Sequence, residues 1–153
     1  MEEQKRTRVR AIIVHDGKLV SMYREREGRK FYTFPGGGLE INETEEECVK
    51  REVFEEFGII VKPVKKVYIC ENQISISHFY ICEWIDGEFG TGNGEEFQEN
   101  NRNGLYVPMM IDITDIPSLP LMPPEVASAF FEDYTKNGIS LRDDVKFIFG
   151  EIK

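Results

Sequence analysis

Paired cysteines, long apolar runs and basic charge are all scarce in this chain of 153 residues. The cysteines, Cys48, Cys70 and Cys82, are odd in number and form no C-x-x-C pair. That argues against a disulfide framework and predicts reduced, mostly buried thiols in a cytoplasmic setting. No apolar run is long enough to cross a bilayer, and the opening MEEQKRTRVR lacks the apolar stretch of a secretory signal. A soluble protein with no membrane partner is therefore expected. Lys and Arg number 19 against 28 Asp and Glu, leaving a net charge of −9. This argues against nucleic acid as a partner bound through a broad basic surface. An anionic small molecule stays admissible, provided local cations offset the field.

What is present is the composition of a globular domain: 41% hydrophobic, 31% charged, with eleven Phe and six Tyr. At this length one core suffices, so residues 1–153 read as a single domain without internal repeats. TRVRAIIVHDGKLVSMYRER reads as a hairpin turning at Asp16-Gly17. KFYTF then runs into Pro35, Gly36, Gly37 and Gly38, a loop whose backbone can approach a ligand closely. IIVKPVKKVYIC and ISISHFYICEW are rich in β-branched and aromatic residues and predict strands. DGEFGTGNGEEFQENNRNG reads as a long polar loop, and GLYVPMM as a further short strand. EVASAFFEDYTKNG predicts a helix ending at Gly138, and DVKFIFG a last strand. The elements intermix without regular βαβ alternation, which predicts an α/β fold with helices packed on a mixed sheet.

Residues 37–59, GGLEINETEEECVKREVFEEFGI, hold eight glutamates among twenty-three residues, with only Lys50 and Arg51 basic. Thr44 and Glu47 have the spacing of a capping box, and Gly58 supplies a C-terminal stop. Val49, Val53 and Phe57 form the buried stripe of the helix between them. Glu52, Glu55 and Glu56 stand at i, i+3 and i+4, on one arc. Ionised carboxylates so placed repel by a few tenths of a kcal/mol per pair, roughly. A solvated face accounts for such a helix as it stands. A hard divalent cation beside the glycine loop would instead turn repulsion into coordination, and Arg51 at the edge of the arc would fix a glutamate rotamer.

The spacing favours the cation. Gly37, five residues, Glu43, seven residues, then Arg51-Glu52-Val53-Phe54-Glu55-Glu56-Phe57-Gly58-Ile59 resembles, without a departure, the signature of the Nudix hydrolases. Chance would produce that match on the order of once in a hundred million starting positions or more rarely. The specific resemblance runs from Phe34 to Ile59, with FPGGGLE similar to the usual approach to the box.

The resemblance implies an α/β/α sandwich around a mixed sheet and hydrolysis of a diphosphate linkage in a nucleotide or nucleoside-diphosphate derivative. It implies Mg²⁺, or alternatively Mn²⁺, held by Glu52, Glu55, Glu56 and the carbonyl of Gly36, with one glutamate orienting or deprotonating water. Glu43 and Arg51 are implied as the supporting ion pair. Arg24 sits where relatives often place a phosphate-contacting arginine; Arg8 and Arg10, on one face of the first strand, are further candidates, beside the backbone of Gly37 and Gly38. Glu95, Glu96 and Glu99 are candidates for a later-loop carboxylate. The short N-terminus resembles members that cleave nucleoside triphosphates more than those that cleave ADP-ribose. An ADP-ribose or nucleotide-sugar pyrophosphatase is the alternative enzyme, and a non-catalytic nucleotide-sensing module or a structural cation site are the non-enzyme readings. The intact box favours an enzyme, as monomer or homodimer. His78 alternates with Ile76, Tyr80 and Cys82 and reads as a packed, hydrogen-bonded histidine rather than a catalytic one.

Overall fold

The computed structural model describes residues 4–91 and 104–150. Among these residues nine strands form one mixed sheet: β1 (Arg6–His15), β2 (Lys18–Arg26), β3 (Arg29–Thr33), β4 (Gly36–Gly38), β5 (Ile59–Glu71), β6 (Ser75–Gly87), β7 (Leu105–Asp112), β8 (Leu121–Met122) and β9 (Lys146–Phe149). Two helices, α1 (Glu45–Phe57) and α2 (Pro124–Asn137), pack on it. The strand order is β8-β3-β2-β1-β6-β5-β9, with β4 paired to β1 and β7 to β2 off that path. The pairs β1–β6, β3–β8 and β5–β9 are parallel and the others antiparallel, so the sheet is mixed as expected.

Side chains alternate across the sheet and build two cores. Val9, Ala11 and Ile13 of β1 join Val49, Val53 and Phe57 of α1 on one face. Ile12 joins Phe79 of β6 and Val126 and Phe130 of α2 on the other. Each fully buried Val or Phe in these layers contributes about 1.5–3 kcal/mol relative to exposure. The result is helix, sheet, helix. Among the described residues no helix is long and apolar enough to cross a membrane.

Local chemistry sets the two elements nearest the site. The β1–β2 hairpin closes through Asp16 (φ 49°) and Gly17 (φ 74°), both in the left-handed region that a two-residue turn of this kind requires. The α1 N-terminus is closed by the reciprocal capping box. Glu47 N–H donates to Thr44 Oγ1 (3.1 Å), and Thr44 N–H donates to Glu47 Oε1 (2.8 Å). Such a cap is worth about 1 kcal/mol. Gly58 (φ 78°) ends the helix and donates to Phe54 O at 2.9 Å.

One feature of the sheet decides where a ligand fits. β1 and β2 are paired only at Val14↔Leu19 and His15↔Lys18. Beyond that they part, and each takes a new neighbour: β4 runs along β1 (Arg8↔Gly38, Arg10↔Gly36), and β3 runs along β2 from Met22 onward. The glycine stretch expected as a loop is therefore a short strand, held extended by β1. Residues 92–103 of the long polar loop lie outside the described residues, Glu95, Glu96 and Glu99 among them, and its first two residues, Asp86 and Gly87, end β6.

Candidate active site

The parted ends of β1 and β2 enclose a cavity of about 450 Å³. Its carboxylates are Glu52 and Glu56 of α1, its floor includes Gly36 and Gly37 of β4, and its guanidinium groups include Arg8, Arg10 and Arg24. Glu56 is a buried carboxylate, and its Oε1 accepts the Gly36 backbone N–H at 3.0 Å. Gly37 leaves room for Glu52: a Cβ on Gly37 would lie 2.5 Å from the Glu52 carboxylate. Thus the lack of a side chain at Gly37 is what lets the Glu52 carboxylate stand against the backbone of β4.

Arg51 ties this corner together. It binds Glu43 through both arms, Nε to Oε2 at 2.7 Å and Nη2 to Oε1 at 3.0 Å, the fork geometry that makes such pairs strong. Its Nη1 donates to Glu52 Oε1 at 3.0 Å, and its Nη2 to the Gly38 carbonyl at 3.2 Å. One side chain therefore links the helix carboxylates to the glycine strand. The Arg51 guanidinium, hydrogen-bonded to Glu43, holds that carboxyl well below its usual range, down to about 2, against the opposing effect of burial. Because the folded-state value is depressed from 4.5, this pair stabilises the fold fully above about pH 4.5 and loses its contribution as pH falls toward 2. Scanning calorimetry should accordingly find Glu43→Gln less stable than the native chain at pH 6. The difference in Tm should shrink steadily between about pH 4.5 and pH 2; a gap independent of pH would remove the ion pair as its cause.

Glu55 is placed differently from its two neighbours. It is 48% exposed, its Oε2 lies 3.5 Å from Arg51 Nη1, and it does not line the cavity. The shared arc of the three glutamates thus resolves into two that enter the site and one on its shoulder. Among the described residues no three His, Cys, Asp or Glu side chains converge closely enough to hold a metal ion by themselves.

The arginines meet the carboxylates from the sheet side. Burial, then the charge of Arg8, pushes Arg10 down to about 10, with Glu56 and Glu52 partly offsetting the shift. Arg10 also donates to the Phe34 carbonyl at 2.9 Å. Burial lowers Arg8 and Arg24 too, and Arg24 stacks 3.9 Å above the ring centroid of Tyr106 on β7. A second cavity of about 310 Å³ shares Arg8, Arg10 and Thr33 with the first and continues along Asn72, Ser75, Ser77 and Met122.

A family model for the NUDIX domain matches residues 5–116. The chain belongs to the Nudix family. Among solved structures, a NUDIX hydrolase from Nitrosomonas europaea is similar over 99% of this chain and 82% of its own, with a TM-score of 0.75 at 14% identity, which establishes the fold. An ADP-ribose pyrophosphatase of Methanocaldococcus jannaschii is 35% identical over 104 residues, 61% of this chain and 62% of that protein. An RNA pyrophosphohydrolase of Pasteurella multocida is 36% identical over 61 residues, 40% of this chain, and the match spans only 31% of that relative. An 8-oxo-dGTP diphosphatase of Proteus vulgaris is 39% identical over 59 residues, 35% of this chain and 53% of its own.

Nudix hydrolases generally act with a divalent metal ion, and the donors present fit one. Two carboxylates, Glu52 and Glu56, share the cavity with backbone from the glycine strand. Mg²⁺ typically binds through one or two carboxylates and completes its shell with water and substrate phosphate oxygens. Glu55 would join that shell only by leaving Arg51.

Sequence reasoning located Arg8, Arg10 and Arg24 but passed over Arg6, Arg26, Thr33 and Tyr106, which also line the cavity. Arg6 and Arg26 had a readable signal, because they extend the alternate-residue spacing of Arg8-Arg10 and of Arg24. Tyr106 had none, since its position over Arg24 depends on the β2–β7 register, Arg24↔Tyr106. His78 departs from the expectation of a satisfied side chain. Among the described residues its Nδ1 is buried without a hydrogen-bond partner, 3.7 Å from Glu45 Oε1, and burial holds its pKa below 6.5 while Glu45 partly offsets the shift. The three cysteines are free and buried as expected, and burial pushes the Cys48 and Cys82 thiols up to about 12.

Proposed function

We propose that this Nudix protein is an Mg²⁺-dependent pyrophosphohydrolase that cleaves a diphosphate linkage in a nucleoside triphosphate or related nucleoside-diphosphate derivative. The supporting observation is the enclosure of Glu52 and Glu56 in one cavity with Arg8, Arg10 and Arg24. Carboxylates alone would suit only a cation, and guanidinium groups alone only an anion. Side by side, the two sets suit a metal–phosphate complex.

Glu52, Glu56 and the Gly36 carbonyl would hold the ion, which when bound neutralises phosphate charge and lowers the pKa of water. Glu52 accepts the proton of the attacking water. The water oxygen bonds to phosphorus, and the bridging P–O bond breaks with its electron pair leaving on the departing phosphate. Arg8, Arg10 and Arg24 hold non-bridging oxygens and keep the reacting centre in place. Arg51 and Glu43 fix the Glu52 rotamer, and the Gly36 amide fixes Glu56. Gly37 and Gly38 keep the loop thin enough for a phosphate to lie against its backbone. The neighbouring cavity, with amide and hydroxyl groups from Asn72, Ser75 and Ser77 beside apolar Ile74 and Met122, suits a nucleoside.

A second reading, hydrolysis of ADP-ribose or a nucleotide sugar, is favoured by the name of the Methanocaldococcus jannaschii relative. Both readings are tested by incubating the purified chain with nucleoside triphosphates, nucleoside-diphosphate sugars, ADP-ribose and dinucleoside polyphosphates. Product release is expected with Mg²⁺ and abolished by chelator. Absence of turnover on every compound, with Mg²⁺ and with Mn²⁺, would overturn the assignment and leave a non-catalytic module.

A further inference from the structure

The cavity holds more positive charge than a diphosphate linkage requires. Arg6, Arg8 and Arg10 occupy alternate positions of β1, and Arg24 and Arg26 alternate positions of β2; all five line the same cavity. Alternate residues of a strand share a side and stand roughly 7 Å apart. Because β1 and β2 are antiparallel, Arg10, Arg8 and Arg6 step away from the hairpin in the same direction as Arg24 and Arg26. Two rows of guanidinium groups therefore border the gap where the strands part. Arg10 is the inner rung, opposite Gly36 in the β1–β4 pairing, and Arg8 is opposite Gly38. Arg6 lies one step further out, with its Nη2 3.4 Å from where a Gly38 side chain would begin.

Among the described residues that line the cavity, five guanidinium groups face two carboxylates, an excess of three positive charges in a chain of net charge −9. The rows repel internally: after burial, a neighbouring arginine is the next influence lowering both Arg8 and Arg10. An anion relieves that repulsion, and more so as its charge grows. A diphosphate bridging two sugars has one ionised oxygen on each phosphate. A terminal triphosphate adds another phosphate and a second ionisable oxygen at its end.

Resting on the pyrophosphohydrolase reading above, we propose that the two arginine rows select a linear chain of three or more phosphates, and that Arg6 and Arg26, the outer rungs, bind the phosphates farthest from Glu56, which sits at the inner rung against Gly36. A diphosphate diester reaches only the inner rungs. The substrate class is then a nucleoside triphosphate or a dinucleoside polyphosphate, in preference to ADP-ribose.

The anion preference is measured directly by titration calorimetry at fixed ionic strength with chelator present, using inorganic tripolyphosphate and pyrophosphate. The native chain should bind tripolyphosphate at least about tenfold more tightly, since charge-assisted contacts are among the stronger hydrogen bonds. In the Arg6→Gln/Arg26→Gln double variant that advantage should fall below about threefold, with pyrophosphate affinity changed less. Both positions are exposed, so the variant should fold, as circular dichroism would verify. Equal affinity for the two anions in the native chain, or full discrimination in the variant, overturns the proposal. Turnover with Mg²⁺ separates this proposal from the reading beneath it. A higher kcat/KM for ADP-ribose than for a nucleoside triphosphate and a dinucleoside tetraphosphate overturns the selection and leaves the pyrophosphohydrolase standing. No turnover on any of the three, nor on nucleoside-diphosphate sugars, with Mg²⁺ or with Mn²⁺, overturns the pyrophosphohydrolase, while the calorimetry still decides whether the rows count phosphates. Comparing the triphosphate with the tetraphosphate identifies which source of the phosphate chain is preferred.

Discussion

Glu52→Gln should lower kcat by about a thousandfold at saturating metal, within the 10²–10⁴ range that a positioned general base contributes. The side chain keeps its size and its oxygen toward Arg51 Nη1, now at 3.0 Å, so the cavity should keep its shape. What is lost is a basic oxygen that can take the water proton, and one negative charge facing the metal. Thermal stability should change little, because Arg51 keeps its two-armed contact with Glu43. Substrate affinity should hold or improve, since a negative charge near the phosphates disappears. The rate loss should therefore appear in kcat and not in KM. Turnover within tenfold of native would assign the base elsewhere. Glu56→Gln is the informative companion, because it can still accept the Gly36 amide that Glu56 accepts at 3.0 Å. Its loss of rate then reports charge alone.

Gly36→Ala should produce the largest loss of stability among single changes near the site. A Cβ there would lie 2.2 Å from the Val9 carbonyl oxygen and 2.7 Å from Arg10 Cα, at a φ of 140°. Those are backbone atoms of β1, which cannot swing aside as a flexible side chain would. A cost of about 2–4 kcal/mol is expected, which for a chain of this size lowers Tm by about 5–15 °C. Gly28→Ala, in the Glu27–Gly28 hairpin turn, is the control: it also has positive φ (79°) but meets nothing within 4 Å, so only the backbone preference is lost, about 1 kcal/mol. Equal melting points for the two variants would mean that β4 does not lie against β1 as described. Because Gly36 also holds Glu56, Gly36→Ala should lose activity even below its melting transition.

The two predictions draw on different kinds of information. The position of Glu52 beside the glycines was readable because a helix places residues by number alone. A repeat of 3.6 residues, the Thr44–Glu47 box and Gly58 are enough to put its carboxylates on one arc beside the glycines. The distinction between Glu55 and Glu56 was not readable. The two are adjacent on the helix, and only the approach of β4 buries one against the Gly36 amide while the other turns to Arg51. Periodicity describes a helix by itself and carries no information about which neighbour lies on which side.

The same division runs through the sheet. The Asp16-Gly17 turn was legible because its backbone demand is local, and so was the alternation that put Arg8 and Arg10 on one side of β1. The parting of β1 from β2 was not, since nothing in either strand announces that pairing stops after Val14↔Leu19. It stops because β4 and β3 take the vacated edges, and those pairings join residues up to about thirty positions apart. The stacking of Tyr106 on Arg24 spans a still longer separation.

By itself, then, the sequence determined the family, the capped acidic helix, the glycine approach to it and the hairpin, because each is written in spacings of a few residues that backbone geometry converts directly into position. Only the tertiary structure decided which carboxylates enter the cavity and that, among the described residues, five arginines share it. Those outcomes depend on strand pairing and packing between distant segments, where the free energy of contact, not the local dihedral preference, selects the arrangement.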